Sequence, residues 1–161
     1  MIVPPGLSSE LQGVIVRDVR SDDRLAIVKL LAESPEAALW SADSLLDGVS
    51  GGMRAWVAEL NGEMSGILIG RTVADEFEIL NLAVLRAHRR RGIASHLLDA
   101  AFRWSRDAGT KRMLLEVRAS NQAAIGLYAR YGFMACGRRK QYYRNPPEDA
   151  LLFARTLNEE F

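Results

Sequence analysis

The sequence of 161 residues contains a single cysteine, Cys136, so the chain by itself builds neither a disulfide framework nor a zinc site of several cysteines. An excess of charge is also lacking, because the net charge is only +1. General nucleic-acid-binding proteins are usually markedly basic, so we expect no nucleic-acid partner. The scarcity of cysteine fits a reducing compartment, and we expect a cytoplasmic protein without a metal centre.

Long hydrophobic runs are absent as well. No apolar stretch approaches the roughly 18 residues of a membrane-spanning helix. The first residues, Met-Ile-Val-Pro-Pro-Gly, lack the basic start and apolar core of a secretory signal peptide. The composition, 48% hydrophobic and 25% charged, is ordinary for a globular protein. We therefore expect no membrane partner, a lead-in over residues 1–13 and a single domain over residues 14–161.

Segments with the hydrophobic pattern of a strand and segments with that of a helix both recur along the sequence. Together they predict a mixed α/β fold with one layer of sheet and helices on both faces. The dipeptide Asn61-Gly62 is a strong hairpin signal, and residues 48–52 are read as a flexible break. Tyr142 and Tyr143 fall in a predicted loop between the last two strands. The strands are predicted at about residues 14–19, 54–60, 64–71, 76–84, 113–117, 133–140 and 151–157, and the helices at about 21–34, 41–46, 92–108 and 121–131.

The predicted strand over residues 76–84 changes phase along its length. Phe77 and Ile79 share one face, whereas Leu80, Leu82 and Val84 fall on the opposite face. An extra residue in the strand, a β-bulge, produces such a shift. A strand that is buried on both faces gives the same pattern. The pattern favours the bulge and leaves the second interpretation open.

A basic turn, His88-Arg-Arg-Arg-Gly-Ile-Ala94, lies between this strand and the long helix that follows. The free backbone N–H groups at a helix start attract phosphate oxygens, and glycine lets a ligand approach them closely. The arginines add positive charge at the same place. The turn therefore suits a pyrophosphate, although a solvated basic turn or a weak nucleic-acid contact would have the same sequence.

Two side chains further on have the chemistry of an acid–base pair. Glu116 places a carboxylate inside an apolar strand, and Tyr128 places a phenol on the apolar stripe of the next helix. Together they are suited to act as a general base and a general acid. Each also has an ordinary structural interpretation: Glu116 as an ion pair with Arg118 or Arg112, and Tyr128 as a core tyrosine. Between them, Asn121 is a natural helix cap.

These segments resemble the GNAT superfamily of N-acetyltransferases. Arg89-Arg-Arg-Gly-Ile-Ala94 matches the Arg-x-x-Gly-x-Ala signature of that superfamily, and the run from Asn121 to Phe133 matches its second acyl-CoA segment. Leu115-Glu-Val-Arg-Ala-Ser-Asn121, Arg139-x-x-Tyr-Tyr143 and Glu148-Asp-Ala150 resemble the RimI group more narrowly. The resemblance covers about residues 14–157.

The resemblance implies a fold and a reaction. The fold is a single mixed, mostly antiparallel sheet of about seven strands with a bulged fourth strand. The donor is acetyl-CoA, and the acceptor is the N-terminal α-amine of a protein, with the alanine N-terminus of a ribosomal protein as the known type. The enzyme would act as a monomer or homodimer. One departure stands out, since Leu39 replaces a proline that the group often carries before Trp40-Ser41.

The resemblance also assigns roles to individual residues. Glu116 is the general base, directly or through a water, and Tyr128 is the general acid. The residues assigned to the cofactor are Leu82, Ala83, Val84, Arg89, Arg90, Arg91, Gly92, Ile93, Ala94, Ser95, Asn121, Ala124 and Tyr128. Those assigned to the acceptor are Trp40, Asn81, Glu116, Tyr142 and Tyr143. Metal ligands are not expected.

Other functions remain open at this point. A small-molecule or lysine acetyltransferase would share the cofactor motifs, and a non-catalytic acyl-CoA-binding module would need only those motifs. Nucleic-acid binding rests on the basic turn alone. Asp149 either orders the last loop or touches the acceptor amine, and Cys136 is expected in the core. The acceptor's own sequence is not encoded in any single segment.

Overall fold

The computed structural model describes residues 13–34 and 41–157, and within them confirms the mixed α/β prediction. Trp40, assigned above to the acceptor, lies outside these residues. None of the helices in the two described ranges is long and apolar enough to cross a membrane. The strands are β1 Val14–Asp18, β2 Arg54–Leu60, β3 Glu63–Val73, β4 Glu76–Val84, β5 Arg112–Arg118, β6 Met134–Arg144 and β7 Pro147–Thr156. The α-helices are α1 Arg24–Ala32, α2 Ala42–Ser50, α3 Ile93–Asp107 and α4 Gln122–Arg130.

The strands form one sheet in the order β1-β2-β3-β4-β5-β7-β6. Strand β7 lies between β5 and β6 and is antiparallel to both. β1 and β2 are also antiparallel, whereas β4 and β5 run parallel from Glu76 opposite Arg112 to Ile79 opposite Leu115. A helical crossover, α3, joins this parallel pair, as parallel strands require.

Contacts divide the chain into two compact units. The first holds the described residues up to 69 together with Asn81–Phe102, and the second holds Gly70–Leu80 and the chain from Arg103 onward. The boundaries fall inside β3, β4 and α3. The single domain expected over residues 14–161 stays a prediction.

In the first unit, α3 packs closely against β3. A Cβ atom on Gly66 would lie 3.0 Å from a side-chain carbon of Ile93 and 3.1 Å from one of Leu97, so a larger residue would push these side chains away by a few tenths of an ångström. Ile93, Leu97 and Leu98 are almost completely buried. This packing fixes the start of α3, which begins close to the residue that the hydrophobic pattern predicts.

Asp23 holds together the beginning of the first unit. Its carboxylate accepts two hydrogen bonds from Arg17, at 2.7 and 2.9 Å, and one from the backbone N–H of Arg20 at 2.7 Å. Arg17 also donates to Glu59 on β2 at 2.7 Å. Residues Ser21–Asp23 form a 3₁₀ turn around these bonds, so α1 starts at Arg24 and not at about residue 21 as the sequence predicts.

We expect Asp23→Asn to lower the free energy of unfolding by about 2–4 kcal/mol at pH 7, because it removes the negative charge beside the largely buried Arg17 and one of the two oxygens that accept its hydrogen bonds. The hydrogen bonds from Arg17 lower the pKa of Asp23, so this stabilisation is present above the unfolded-state pKa of about 3.9 and is lost as the pH falls through the folded-state pKa. Urea unfolding at pH 7 and pH 3 measures both effects. Asp43→Asn, which breaks an exposed pair with Arg24, is the control and should change little. An equal loss in both variants would contradict the prediction.

The second unit has its core between β5, β7 and α4. Met113, Leu115 and Val117 of β5 are buried, as are Phe133, Phe153 and Tyr128. α4 begins where the side-chain oxygen of Asn121 accepts the N–H of Ala124 at 3.2 Å, as its cap position predicts.

Three expectations about chain segments are corrected. Tyr142 and Tyr143 lie in β6 and not in a loop, because β6 and β7 are longer than predicted and only Asn145-Pro146 separates them. Cys136 is exposed and not in the core, since it lies on β6, the strand at the end of the sheet. α2 continues through Gly48 to Ser50 instead of breaking there.

Strand β4 shows no change of phase in its burial. Burial alternates without interruption from Glu76 to Val84, and Asn81 occupies an inward position between Ile79 and Ala83. The residues of the other face are half-buried. The polar Asn81 at an inward position accounts for the apparent shift in hydrophobicity, and the half-buried second face favours the alternative of a strand covered on both sides. The bulge stays a prediction.

Candidate active site

Glu116 projects from β5 between the buried Leu115 and Val117, and its side chain is 22% exposed. Its Oε1 accepts a hydrogen bond from Nε of Arg139 on β6 at 2.8 Å. The partners predicted for Glu116 were wrong, because both of those arginines pair elsewhere. Arg112 pairs with Glu76 at 3.1 Å, and Arg118 with Glu148 at 3.3 Å.

Two phenols of β6 adjoin the Glu116 carboxylate. The negative charge of Glu116 is the main cause that raises the pKa of Tyr142, and burial of the phenol adds to that effect. Burial raises the pKa of Tyr143, and the charge of Glu116 adds to that effect. The two rings meet edge to face with centroids 5.2 Å apart, and the guanidinium of Arg118 lies 4.0 Å from the ring centre of Tyr143. The phenols are therefore held by ring contacts beside the carboxylate.

Tyr128 is the most deeply placed of these groups. It is 6% exposed, and its ring meets Phe133 edge to face at 5.6 Å. Burial raises its pKa far above the ordinary value, and the neighbouring Tyr143 raises it further. Tyr128 consequently keeps its proton at neutral pH. The second unit thus holds Glu116, Tyr142, Tyr143 and Tyr128, four of the residues that the resemblance assigns to acid–base chemistry and the acceptor.

A groove of about 320 Å³ opens beside Glu116. Its lining includes Leu114 and Leu152. Three arginine–glutamate pairs border it, so the groove carries no net charge from these side chains and combines an apolar surface with polar edges. The pairs are Arg71–Glu78 at 2.8 Å, Arg112–Glu76 at 3.1 Å and Arg139–Glu116 at 2.8 Å.

In the first unit, the basic turn leads into α3 through two residues in the left-handed backbone region. Arg90 has φ 63° and Gly92 has φ 76°. Nε of Arg89 donates to the carbonyl of Val84 at 3.3 Å, and the carbonyl of Gly92 accepts the N–H of His96 at 3.1 Å. Arg90 and Arg91 are exposed. Exposed guanidinium groups at the N-terminus of a helix fit a pyrophosphate.

Other predicted cofactor and acceptor residues in the first unit have varied surroundings. Leu82, Val84, Ala94 and Ser95 are half-buried, whereas Ala83 and Ile93 are buried. Asn81 is 5% exposed, and within the described parts of the chain neither its Nδ2 nor its Oδ1 has a hydrogen-bond partner. A buried amide of this kind usually meets an ordered water or a ligand.

The structure also gives the contacts of two acidic residues, Glu148, whose partner the sequence did not reveal, and Asp149, for which the sequence left two roles open. Glu148 accepts the N–H of Ser120 at 2.6 Å, and Asp149 accepts the N–H of Gln141 at 2.9 Å. The side-chain oxygen of Asn121 accepts the N–H of Ala124 and so caps α4. A contact of Asn121 with a cofactor stays a prediction. The sequence shows only that Glu148 and Asp149 follow Pro146-Pro147. It does not reveal which backbone groups their carboxylates face.

Comparisons with known proteins show what this chain is similar to in sequence and fold. The model of the Acetyltransferase (GNAT) family matches residues 22–133. A Bacillus subtilis protein that carries the provisional name ribosomal protein bS18-alanine N-acetyltransferase is 32% identical over 146 residues, which are 89% of this chain and 96% of that protein. The Escherichia coli ribosomal protein bS18-alanine N-acetyltransferase is 38% identical over 96 residues, 58% of this chain and 65% of that protein. A crystal structure of an Escherichia coli ribosomal-protein alanine N-acetyltransferase superposes with a TM-score of 0.80 at 28% identity, covering 92% of this chain and 96% of that one.

Proposed function

This chain belongs to the acetyltransferase (GNAT) family, and from that membership we propose that it transfers the acetyl group of acetyl-CoA to the N-terminal α-amine of a protein. The acceptor suggested by its relatives is the N-terminal alanine of a ribosomal protein. A cytoplasmic location is part of the proposal and rests on the scarcity of cysteine. The observation that supports this proposal is the cluster of Glu116 with Tyr142 and Tyr143, because it offers a proton acceptor beside two aromatic side chains.

Bound acetyl-CoA would supply an acetyl thioester, which is an activated acyl group. The basic turn fits its pyrophosphate, since Arg90, Arg91 and the first amides of α3 present positive charge and N–H donors. Leu82 and Val84 of β4 are proposed to bind its pantetheine arm through their backbone. The buried amide of Asn81 would meet a water or the acceptor backbone.

Glu116 is proposed as the general base. An N-terminal α-amine has a pKa of about 7.7–8.0, so a substantial fraction is already neutral near pH 7. The base needs to collect only the proton that the amine releases as it attacks, either directly or through a water. The 22% exposure of the Glu116 side chain leaves it accessible to an acceptor while Arg139 fixes one of its oxygens.

Tyr128 is proposed as the general acid. Its hydroxyl is protonated at neutral pH, and we propose that it gives this proton to the departing thiolate. Tyr142 and Tyr143 would then bind the first residues of the acceptor, since Tyr142 is 51% exposed and both rings adjoin Glu116. Trp40 remains a predicted acceptor contact.

Acceptor selectivity tests the proposal directly. Purified protein is mixed with acetyl-CoA and one of three acceptors: a peptide with a free N-terminal alanine and one internal lysine, the same peptide with a blocked N-terminus, or spermidine. We expect kcat/KM to be roughly a hundredfold or more higher for the free N-terminus, because the lysine amine has a pKa of about 10.4 and is almost fully protonated near pH 7. Thiol release gives the rate, and mass spectrometry gives the position of the acetyl group.

The same panel separates the alternatives. Equal or faster turnover of spermidine or of the blocked peptide would show a small-molecule or lysine acetyltransferase instead. Binding of acetyl-CoA without turnover of any amine would show a non-catalytic binding module.

A further inference from the structure

Strands β6 and β7 do not pair regularly along their whole length. Arg139 of β6 lies opposite Ala150 of β7, and Tyr143 lies opposite Glu148. On β7 only Asp149 separates these positions, whereas on β6 Lys140, Gln141 and Tyr142 separate them. β6 therefore contains two extra residues, and this bulge carries Tyr142.

The bulge has a strained backbone at its centre. Gln141 has φ 50°, in the left-handed region that residues with a Cβ rarely occupy. Strain of this kind persists only where the surrounding structure compensates for it. The compensation comes from Asp149, whose Oδ1 accepts the N–H of Gln141 at 2.9 Å.

Asp149 is itself anchored at two further points. Its Oδ2 accepts a hydrogen bond from Nη1 of Arg138 at 2.7 Å, and its backbone carbonyl accepts the N–H of Ala119 at 3.1 Å. The two bonded strand residues, Arg138 and Gln141, lie on either side of Arg139, which holds Glu116. The carboxylate of Asp149 therefore fixes β6 before and within the bulge, while the backbone carbonyl of the same residue bonds Ala119, just beyond the end of β5.

We propose that Asp149 is a positioning residue that holds the β6 bulge so that Tyr142, Tyr143 and Arg139 surround Glu116 and shape the acceptor site. This inference rests on the proposed function, which identifies the cluster as the acceptor site. Of the two roles left open for Asp149, it favours ordering of the chain. Both carboxylate oxygens of Asp149 are occupied by groups of β6. This use of the carboxylate favours the ordering of β6 over contact with the acceptor amine.

Four variants test this role. Asp149→Ala removes both bonds to β6, and Asp149→Asn retains an oxygen for the N–H of Gln141. Asp149→Ala combined with Gln141→Gly relieves the strain in another way, because glycine adopts positive φ readily. Asp75→Ala, which removes a surface carboxylate paired with Lys111 at 3.2 Å, is the matched control.

The readouts are kcat and KM for the alanine peptide, the dissociation constant for acetyl-CoA, and hydrogen exchange of the backbone amides of residues 139–143. We expect Asp149→Ala to lower kcat/KM by about tenfold to a hundredfold, mainly through the acceptor KM, since a small misplacement of binding groups has effects of this size. Exchange at Gln141 should accelerate and acetyl-CoA affinity should stay unchanged. Asp149→Asn and the glycine double variant should each recover most of the loss, and Asp75→Ala should match the wild type.

Several results would overturn the inference: wild-type kcat/KM in Asp149→Ala, no recovery in the glycine double variant, or a parallel loss of acetyl-CoA affinity. Hydrogen exchange needs no acceptor, so it keeps this inference separate from the proposed function. If the wild type acetylates only spermidine or the blocked peptide, the proposed function fails, and the same variants are measured with that amine.

Discussion

Glu116→Gln should lower kcat for an N-terminal acceptor by roughly 10²–10⁴-fold, which is the range expected when a general base is removed. Glutamine has almost the same shape as glutamate but does not take up the proton that the amine releases. Glutamate and glutamine both present an oxygen that accepts the hydrogen bond from Arg139, so the position of the side chain at residue 116 should change little. The loss should therefore appear in kcat and leave acetyl-CoA binding unchanged.

The control for this variant distinguishes loss of the base from loss of the ion pair between Glu116 and Arg139. Arg139→Gln breaks the same pair at 2.8 Å but retains Glu116, so it should lose far less activity than Glu116→Gln. Single-turnover rates with the alanine peptide measure both variants under saturating acetyl-CoA. If the two variants lose equally, Glu116 acts through the ion pair and not as a base.

Tyr128→Phe should also lower turnover by roughly 10²–10⁴-fold if proton transfer to the leaving thiolate limits the rate. The substitution removes only a hydroxyl, and the phenylalanine ring retains the edge-to-face contact with Phe133 at 5.6 Å. Burial raises the pKa of Tyr128, so the hydroxyl stays protonated well into the alkaline range. The wild-type rate should consequently rise with pH as the amine loses its proton and show no decline from Tyr128 near pH 9.

Tyr131→Phe, just beyond the last residue of α4, is the control for the loss of a phenol, and its turnover should stay close to that of the wild type. Thermal unfolding of both variants shows whether packing is retained. A Tyr128→Phe enzyme with normal kcat would remove Tyr128 from the chemistry and leave it as a core tyrosine, the ordinary structural interpretation of its sequence position.

The sequence was a good guide where structure depends on neighbouring residues. Asn121 caps α4, the hydrophobic stripe places α3 correctly, and Asn61-Gly62 joins β2 to β3. Each of these features follows from side chains within a few positions of one another. The mixed α/β class follows from the same local patterns.

The sequence was a poor guide where structure depends on strand register. The partner of Glu116 is Arg139, which lies 23 residues away in the sequence. The two residues come close because β6 lies on the far side of β7 from β5 in the same sheet. Tyr142 and Tyr143 belong to a strand because a two-residue bulge braced by Asp149 lets the β6–β7 ladder continue past Gln141. Such long-range pairing has no signature in the spacing of residues along one segment.

The central claim, N-terminal acetylation with Glu116 as base, is tested most directly by mass spectrometry of protein N-termini in cells that lack this chain. The cells are complemented with the wild type or with Glu116→Gln at equal expression. We predict that the N-terminal alanine of a ribosomal protein loses its acetyl group on deletion, regains it with the wild type and stays unmodified with Glu116→Gln. An unchanged set of acetylated N-termini on deletion, or full recovery with Glu116→Gln, would contradict the account.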